Sequence, residues 1–236
     1  MGPWWILVGG RSRLGRSLAE SLALDHRLVL TSSKPWDEES RWLESLSKRT
    51  QVRTFRWNAD DPELVPTMMA DLVALGDAGA VLENAVIAAG TFPESHLGHW
   101  DAASLEATWR TNLTFPLLAA QALAPHLADG GCLHLLLDTA IHHPFLKRMP
   151  YTASKAGLAA LVPALAMALA PRVRVVGHAI GTVLPNEESD PADLAERNLL
   201  KRLGTPEDLA RAIRYAAASP YLTGDILTLD GGWRWA

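Results

Sequence analysis

Tyr151 and Lys155 stand four residues apart in "YTASK", and Asp138 closes the apolar run "HLLLD" ahead of them. On a helix, residues four apart share a face. A phenol with a reference pKa of roughly 10 is a poor proton-transfer group near neutrality. An adjacent ammonium favours the phenolate, so the spacing predicts Tyr151 as the acid–base group and Lys155 as the residue that tunes it. Lys155 is also placed to hold a ribose hydroxyl. A carboxylate leaving a buried strand is costly unless something nearby uses it. Asp138 is therefore a candidate for a role at a nearby site, and the residues alone leave that role open. The competing reading of Asp138 is a strand-end residue that bonds only to local amides.

A second group of residues suits phosphates. "ILVGGRSRLGRSLAE" runs strand, tight turn, helix. Gly9 and Gly10 allow the sharp turn and Gly15 the close approach at the helix start, with Leu14 between. The exposed amides of such a helix end favour a pyrophosphate. Arg11 and Arg13 add positive charge there; the plainer alternative is a glycine turn with solvated arginines. The second strand ends in "LVLTSSKP", where a site selecting NAD usually places an acidic residue. Ser32, Ser33 and Lys34, together with Thr31 and a reach from Arg11, suit a 2′-phosphate instead, so the expected cofactor is NADP(H). In "WNADDPE", Asp60 is a candidate acceptor for the adenine amino group or a helix cap, with Asp61 before Pro62 the better-placed cap.

These residues need a scaffold that gathers strand ends. Strand patterns fall at "WWILVG", "RLVLTS", "QVRTFRW", "NAVIAA", "CLHLLL", "RVRVVGH" and "DILTLD". Helix-period segments alternate with them, including one long segment through "AASLEATWRTNLTFPLLAAQALAPHL" and the run that opens at "YTASK". Alternation of this kind predicts a doubly wound, Rossmann-type parallel sheet of about seven strands with helices on both faces. Residues 1–236 read as one domain without linker or repeat. The irregular stretch 181–208 is a candidate substrate lid or a plain solvated loop.

Composition narrows the partners. The chain has 236 residues, with 22 Lys plus Arg against 26 Asp plus Glu and a net charge of -4, and it lacks a basic run, so neither nucleic acid nor membrane is expected as a partner. Cys132 is the single cysteine, which excludes an internal disulfide. The start "MGPWWILVGG" lacks the pattern of a signal peptide, and a cytoplasmic location is expected. The longest apolar run, "AGLAALVPALAMALA", reads as a buried helix. His142 and His143 point apart on a loop and find no third ligand at metal spacing, so no metal is expected. Lys147 and Arg148 read as a surface face, with contact to an anionic substrate tail as the sharper option.

With these residues in hand, the chain resembles the short-chain dehydrogenase/reductase family over essentially its full length. "GGRSRLG" stands for the family's glycine loop, "AAG" (Ala88, Ala89, Gly90) for its Asn-Asn-Ala-Gly turn, Asn112 for its helix asparagine, "YTASK" for its catalytic pair, and "LTGDILTLDGG" for its usual ending. The resemblance implies that Tyr151 is the general acid, that Lys155 tunes it and binds ribose, and that Asn112 supports a proton-relay water. It also implies a homo-oligomer, tetramer or dimer, with Trp233 and Trp235 as candidate interface residues.

The departures from the family pattern carry further expectations. Arg13 replaces the loop's middle glycine, and Asp138 stands where the family's serine is found. Both are similar to the pteridine reductase branch, which includes bacterial dihydromonapterin and dihydrofolate reductases. By that resemblance Phe92, just beyond "AAG", would lie over a pterin ring, with Arg13 facing ring atoms. Ile87 and Ala88 replace the paired asparagines, so the bracing of the fourth strand must come from elsewhere. "IG" (Ile180, Gly181) replaces Pro-Gly on the nicotinamide side. The expected function is NADPH-dependent reduction of a reduced pterin of the dihydromonapterin, dihydrobiopterin or dihydrofolate type. A short-chain carbonyl or 3-oxoacyl reductase, or a non-catalytic NADP(H)-sensing protein, remain as alternatives.

Overall fold

The computed structural model describes residues 3–185 and 189–236. In chain order the elements are β1 (Trp4–Val8), α1 (Arg13–Leu22), β2 (Arg27–Ser32), α2 (Ser40–Ser47), β3 (Val52–Arg56), α3 (Leu64–Asp77), β4 (Leu82–Ile87), α4 (Ala102–Trp109), α5 (Phe115–Leu123), β5 (Leu127–Asp138), α6 (Met149–Leu169), β6 (Arg174–Ile180), α7 (Pro191–Glu196), α8 (Pro206–Ala217) and β7 (Ile226–Leu229). The strands form one sheet in the order β3-β2-β1-β4-β5-β6-β7, and every pairing is parallel. The order reverses between β1 and β4, the switch point at which such sheets open a crevice.

Alternation along each strand feeds two cores. Trp4, Ile6 and Val8 of β1 face α3, α5 and α6 through Met68, Ala119 and Val162. Trp5 and Leu7 face α1 and α8 through Leu18, Leu22 and Ile213. Both faces of the sheet are thus buried, which accounts for strands that read as continuous apolar runs.

The segment read as one long helix is broken. A π-helical turn, Arg110–Thr114, separates α4 from α5. Turns of this kind lie frequently at functional sites. Helix α3 begins at Leu64 with Glu63 as an N-cap that makes no side-chain bond, while Asp61 accepts from the Glu63 amide at 2.9 Å instead of capping the helix. The stretch 181–208 contains the short α7 and ends in the first turn of α8, whose Thr205–Asp208 capping box fixes it to the scaffold. Residues 186–188, inside the candidate lid, lie outside the described residues. Helix α6 is long and apolar enough, at mean hydropathy 1.5, to cross a bilayer by length and composition. In the fold it instead packs on the sheet through Leu158, Val162 and Ala166.

Candidate active site

The parallel arrangement brings the carboxyl ends of β1, β4, β5 and β6 to one edge of the sheet. Residues leaving those strands and the start of α6 line a cavity of about 800 Å³. Of the residues singled out in the sequence, Arg13, Leu14, Ala88, Gly90, Phe92, Asn112, Asp138, Tyr151, Lys155 and Gly181 line it. Gly9, Gly10, Arg11, Gly15, Ser32, Ser33, Lys34, Asp60 and Ala89 do not; most of them cluster around the β1–α1 turn and the end of β2.

The chemical centre is compact. Tyr151 Oη donates to Asp138 Oδ2 at 2.7 Å, and Asp138 Oδ1 accepts from the Ala140 amide at 2.7 Å. Asp138 is therefore both the cap of the turn Thr139–Ile141 and the partner of the phenol. Lys155 Nζ donates to the Leu136 carbonyl at 2.9 Å and stands 5.9 Å from the centre of the Tyr151 ring.

Burial and the carboxylate govern the titration of this set, and here the structure corrects the sequence reading. Tyr151 is held well above the usual phenol range, by desolvation first and then by the charge and hydrogen bond of Asp138. Lys155 does not pull it down, because the nearer carboxylate favours the protonated phenol. Burial lowers Lys155 to about 8, opposed by the charge of Asp138. Burial also raises Asp138 from the ordinary carboxylate value, against the Ala140 amide, the Tyr151 hydroxyl and Lys155. The carboxylate thus titrates closer to neutrality than an exposed one, as a proton-transfer group requires.

Asn112 sits on the π-helical turn and is fully buried. Its Oδ1 accepts from the Thr91 amide at 3.0 Å, and its Nδ2 donates to Thr91 Oγ1 at 3.2 Å and to the Thr108 carbonyl at 3.0 Å. The side chain thus braces the turn after β4.

At the other end, Gly9 takes φ 92°, a left-handed conformation, and a Cβ there would meet the Ala89 backbone at 2.9 Å. At Gly15 a Cβ would run into the carbonyl of Gly9 and stand 2.9 Å from the Gly10 Cα. Ser12 caps α1 by accepting from the Gly15 amide at 3.0 Å. A tight turn leading into a capped helix N-terminus fits the pyrophosphate of a dinucleotide, whose nicotinamide supplies hydride when bound. Arg11 is turned away from the turn toward the end of β2, where it pairs with Glu38 and Glu39. Asp60 pairs with Arg110 at 3.0 Å. The Ser32 hydroxyl accepts from the Lys34 amide at 3.1 Å, and the Ser33 carbonyl accepts from Arg56 at 3.3 Å.

The substrate end joins residues named from the sequence to two that were not, Glu94 and Phe145. Phe92 stands edge-on to Tyr151 at 4.7 Å and to Phe145 at 5.8 Å. The Arg148 guanidinium lies 4.0 Å over the Phe92 ring, donates to the Phe92 carbonyl at 2.6 Å, and pairs with Glu94 at 3.3 Å. Arg148 is thus a wall of the cavity rather than part of a surface face. Trp233, expected at a subunit interface, packs on His143 at 4.6 Å and on Phe145 at 5.7 Å and lines the cavity, whereas Trp235 is exposed. Arg13 donates to the Pro185 carbonyl at 3.2 Å and so ties the glycine turn to the 181–208 stretch. His142 bonds Thr228 at 3.3 Å, and no group of three or more metal-ligating side chains occurs among the described residues. Cys132 is buried with its thiol pushed up to about 12 by desolvation, so it is unreactive.

The family model described as enoyl-(acyl carrier protein) reductase matches residues 10–234. The chain belongs to the short-chain dehydrogenase/reductase family. It is 34% identical over 137 residues to Tropinone reductase-like 3 of Erythroxylum coca, a match covering 54% of this chain and 53% of that protein. The chain thus spans about half the length of that relative. It is 26% identical to Dehydrogenase/reductase SDR family member 4 of Sus scrofa, covering 96% of this chain and 85% of the relative. Among solved structures, FolM Alternative dihydrofolate reductase 1 from Brucella canis, complexed with NADP, superposes with a TM-score of 0.86 at 23% identity, over 99% of this chain and 95% of that one. At that identity the likeness speaks to the fold. The family uses nicotinamide cofactors, and the β1–α1 turn of this chain fits one.

Proposed function

We propose that this short-chain family member is an NADPH-dependent reductase of a reduced pterin, of the dihydromonapterin, dihydrobiopterin or dihydrofolate type. The observation that carries the reading is the 2.7 Å bond between Tyr151 and Asp138 inside a cavity walled by Phe92, Phe145 and Trp233. Reduction of a ring C=N bond adds hydride at carbon and a proton at nitrogen. In this site the proton passes between Asp138, Tyr151 and the ring, with Lys155 supplying positive charge beside them. An ionised carboxylate only accepts hydrogen bonds, so it suits the N–H and amino groups of a pterin better than the oxygen of a ketone. The aromatic walls suit a flat heterocycle, and Arg13 at the mouth offers donors to its oxygen and nitrogen atoms. The likeness to FolM Alternative dihydrofolate reductase 1, complexed with NADP, supports both substrate class and cofactor. The hydroxyls of Ser32 and Ser33 and the Lys34 ammonium at the end of β2 further support the 2′-phosphate.

A second reading, a carbonyl or 3-oxoacyl reductase, is favoured by the tropinone reductase-like relative. An NADPH-oxidation assay over dihydropterins, dihydrofolate and a panel of small ketones separates the two. Turnover of the ketones with none of the pterins overturns the first. The proposal extends to a cytoplasmic, single-domain homo-oligomer, with the outward side of α6, where Met167 is 77% exposed, as one apolar contact face.

A further inference from the structure

Two arginines and two glutamates meet where the adenosine half of the cofactor would lie. The amides of Gly9 and Gly10 donate to the Thr31 carbonyl, which sets the β1–α1 turn directly over the end of β2. From that turn Arg11 reaches the residues that follow β2. Its Nε donates to Glu39 at 3.1 Å, one terminal nitrogen donates to the Pro35 carbonyl at 2.5 Å, and the other pairs with Glu38. Arg16 pairs with the same Glu39 oxygen that receives Arg11 Nε.

The two carboxylates differ in kind. The Glu39 side chain is 7% exposed and held by both guanidinium groups, so it is a fixed part of the fold. The Glu38 side chain is 80% exposed and, among the described residues, bonds only Arg11, itself 14% exposed. Charges in the cluster balance, two against two. An incoming phosphate therefore finds no free cation on Arg11 unless Glu38 leaves, and an exposed single-partner carboxylate is cheap to move.

We infer that Glu38 is a built-in competitor for the cofactor's 2′-phosphate: it occupies the outer edge of Arg11 in the free protein and is displaced on binding, while Glu39 keeps Arg11 in position. Glu38 thereby weakens affinity for the phosphorylated cofactor and sets how strongly it is preferred over the unphosphorylated one. The inference rests on the NADP(H) reading above. Displacement costs only the exposed ion pair, so its removal by Glu38→Gln frees a guanidinium edge without disturbing the core.

Calorimetric titration with adenosine 2′,5′-bisphosphate and with 5′-AMP tests this without turnover. Glu38→Gln is expected to bind the bisphosphate about fivefold more tightly than the natural protein, the equivalent of one exposed ion pair. Binding of 5′-AMP should change less than roughly twofold, since its phosphate sits at the glycine turn. Arg11→Ala should lose most of the preference for the bisphosphate. If Glu38→Gln binds it as the natural protein does while Arg11→Ala binds it weakly, Arg11 takes the phosphate with Glu38 in place; the competitor role is then wrong and the NADP(H) reading stands. Equal affinity of the natural protein for the two nucleotides overturns the cofactor reading and the inference together.

Discussion

Acid should weaken this fold through two histidines buried between the sheet and its α1/α8 layer. His134 on β5 and His178 on β6 are both fully buried, and one hydrogen bond of 3.0 Å joins their rings. The outer nitrogens, His134 Nε2 and His178 Nδ1, have no hydrogen-bond partner among the described residues. Desolvation lowers His178 to about 4, and desolvation, His178 and Arg174 lower His134 in the same direction. Both groups are neutral in the native state, whereas the unfolded chain takes up protons as pH falls through roughly 6.5. Their depressed values therefore cost nothing above that pH, and stability is lost progressively as pH falls below it. For His178 alone the loss between pH 7.5 and 5 is about 2 kcal/mol, and His134 adds to it. Urea unfolding across that range should show the midpoint falling by roughly 1 M. The double variant His134→Leu/His178→Leu should show a flatter dependence with an unchanged denaturant slope. Identical pH dependence in the natural protein and the double variant would refute the argument, since every other titrating group is common to both.

Other predictions follow from the site. Lys155, lowered to about 8, should give kcat/KM an alkaline limb near that pH as the ammonium loses its proton, and Lys155→Arg should move the limb upward; a pH–rate profile checks it. Asp138 acts ionised and burial raises it, so activity should fall on the acid side at a higher pH than an exposed carboxylate would give, and Asp138→Asn should remove that limb. Gly15→Ala drives a Cβ into the backbone of Gly9 and Gly10, so it should cost about 1–3 kcal/mol and weaken cofactor binding, read by thermal unfolding and nucleotide titration. Asn112→Ala removes three hydrogen bonds that brace the turn after β4; it should destabilise by about 1–3 kcal/mol and lower kcat together with cofactor affinity.

Much of the scaffold is legible from local pattern. β2 coincides with "RLVLTS", and β5 runs through "CLHLLL" to Asp138. Tyr151, Lys155 and the glycine turn are legible because their chemistry depends on short-range spacing. What stays hidden depends on contacts distant in sequence. Trp233 reaches Phe145 only because β7 packs beside β6 and returns the chain to the cavity. Arg11 meets Glu39 across 28 residues, and His134 meets His178 across 44, both through parallel strand register that no periodicity reveals. The π-helical turn is invisible because its residues fit an α-helix pattern equally well. The pKa of Tyr151 misleads for a related reason: the lysine four residues away is legible, whereas the carboxylate's direct bond to the phenol is not.

The central claim is that Asp138, bonded to Tyr151, makes this a site for a nitrogen heterocycle rather than a ketone. Steady-state NADPH oxidation with a dihydropterin and with a small ketone, on the natural protein and on Asp138→Ser, tests it most directly. The account predicts that kcat/KM for the dihydropterin falls by at least about 100-fold in Asp138→Ser while that for the ketone holds or rises. Pterin turnover that is unchanged by the substitution, or absent from the natural protein, contradicts it.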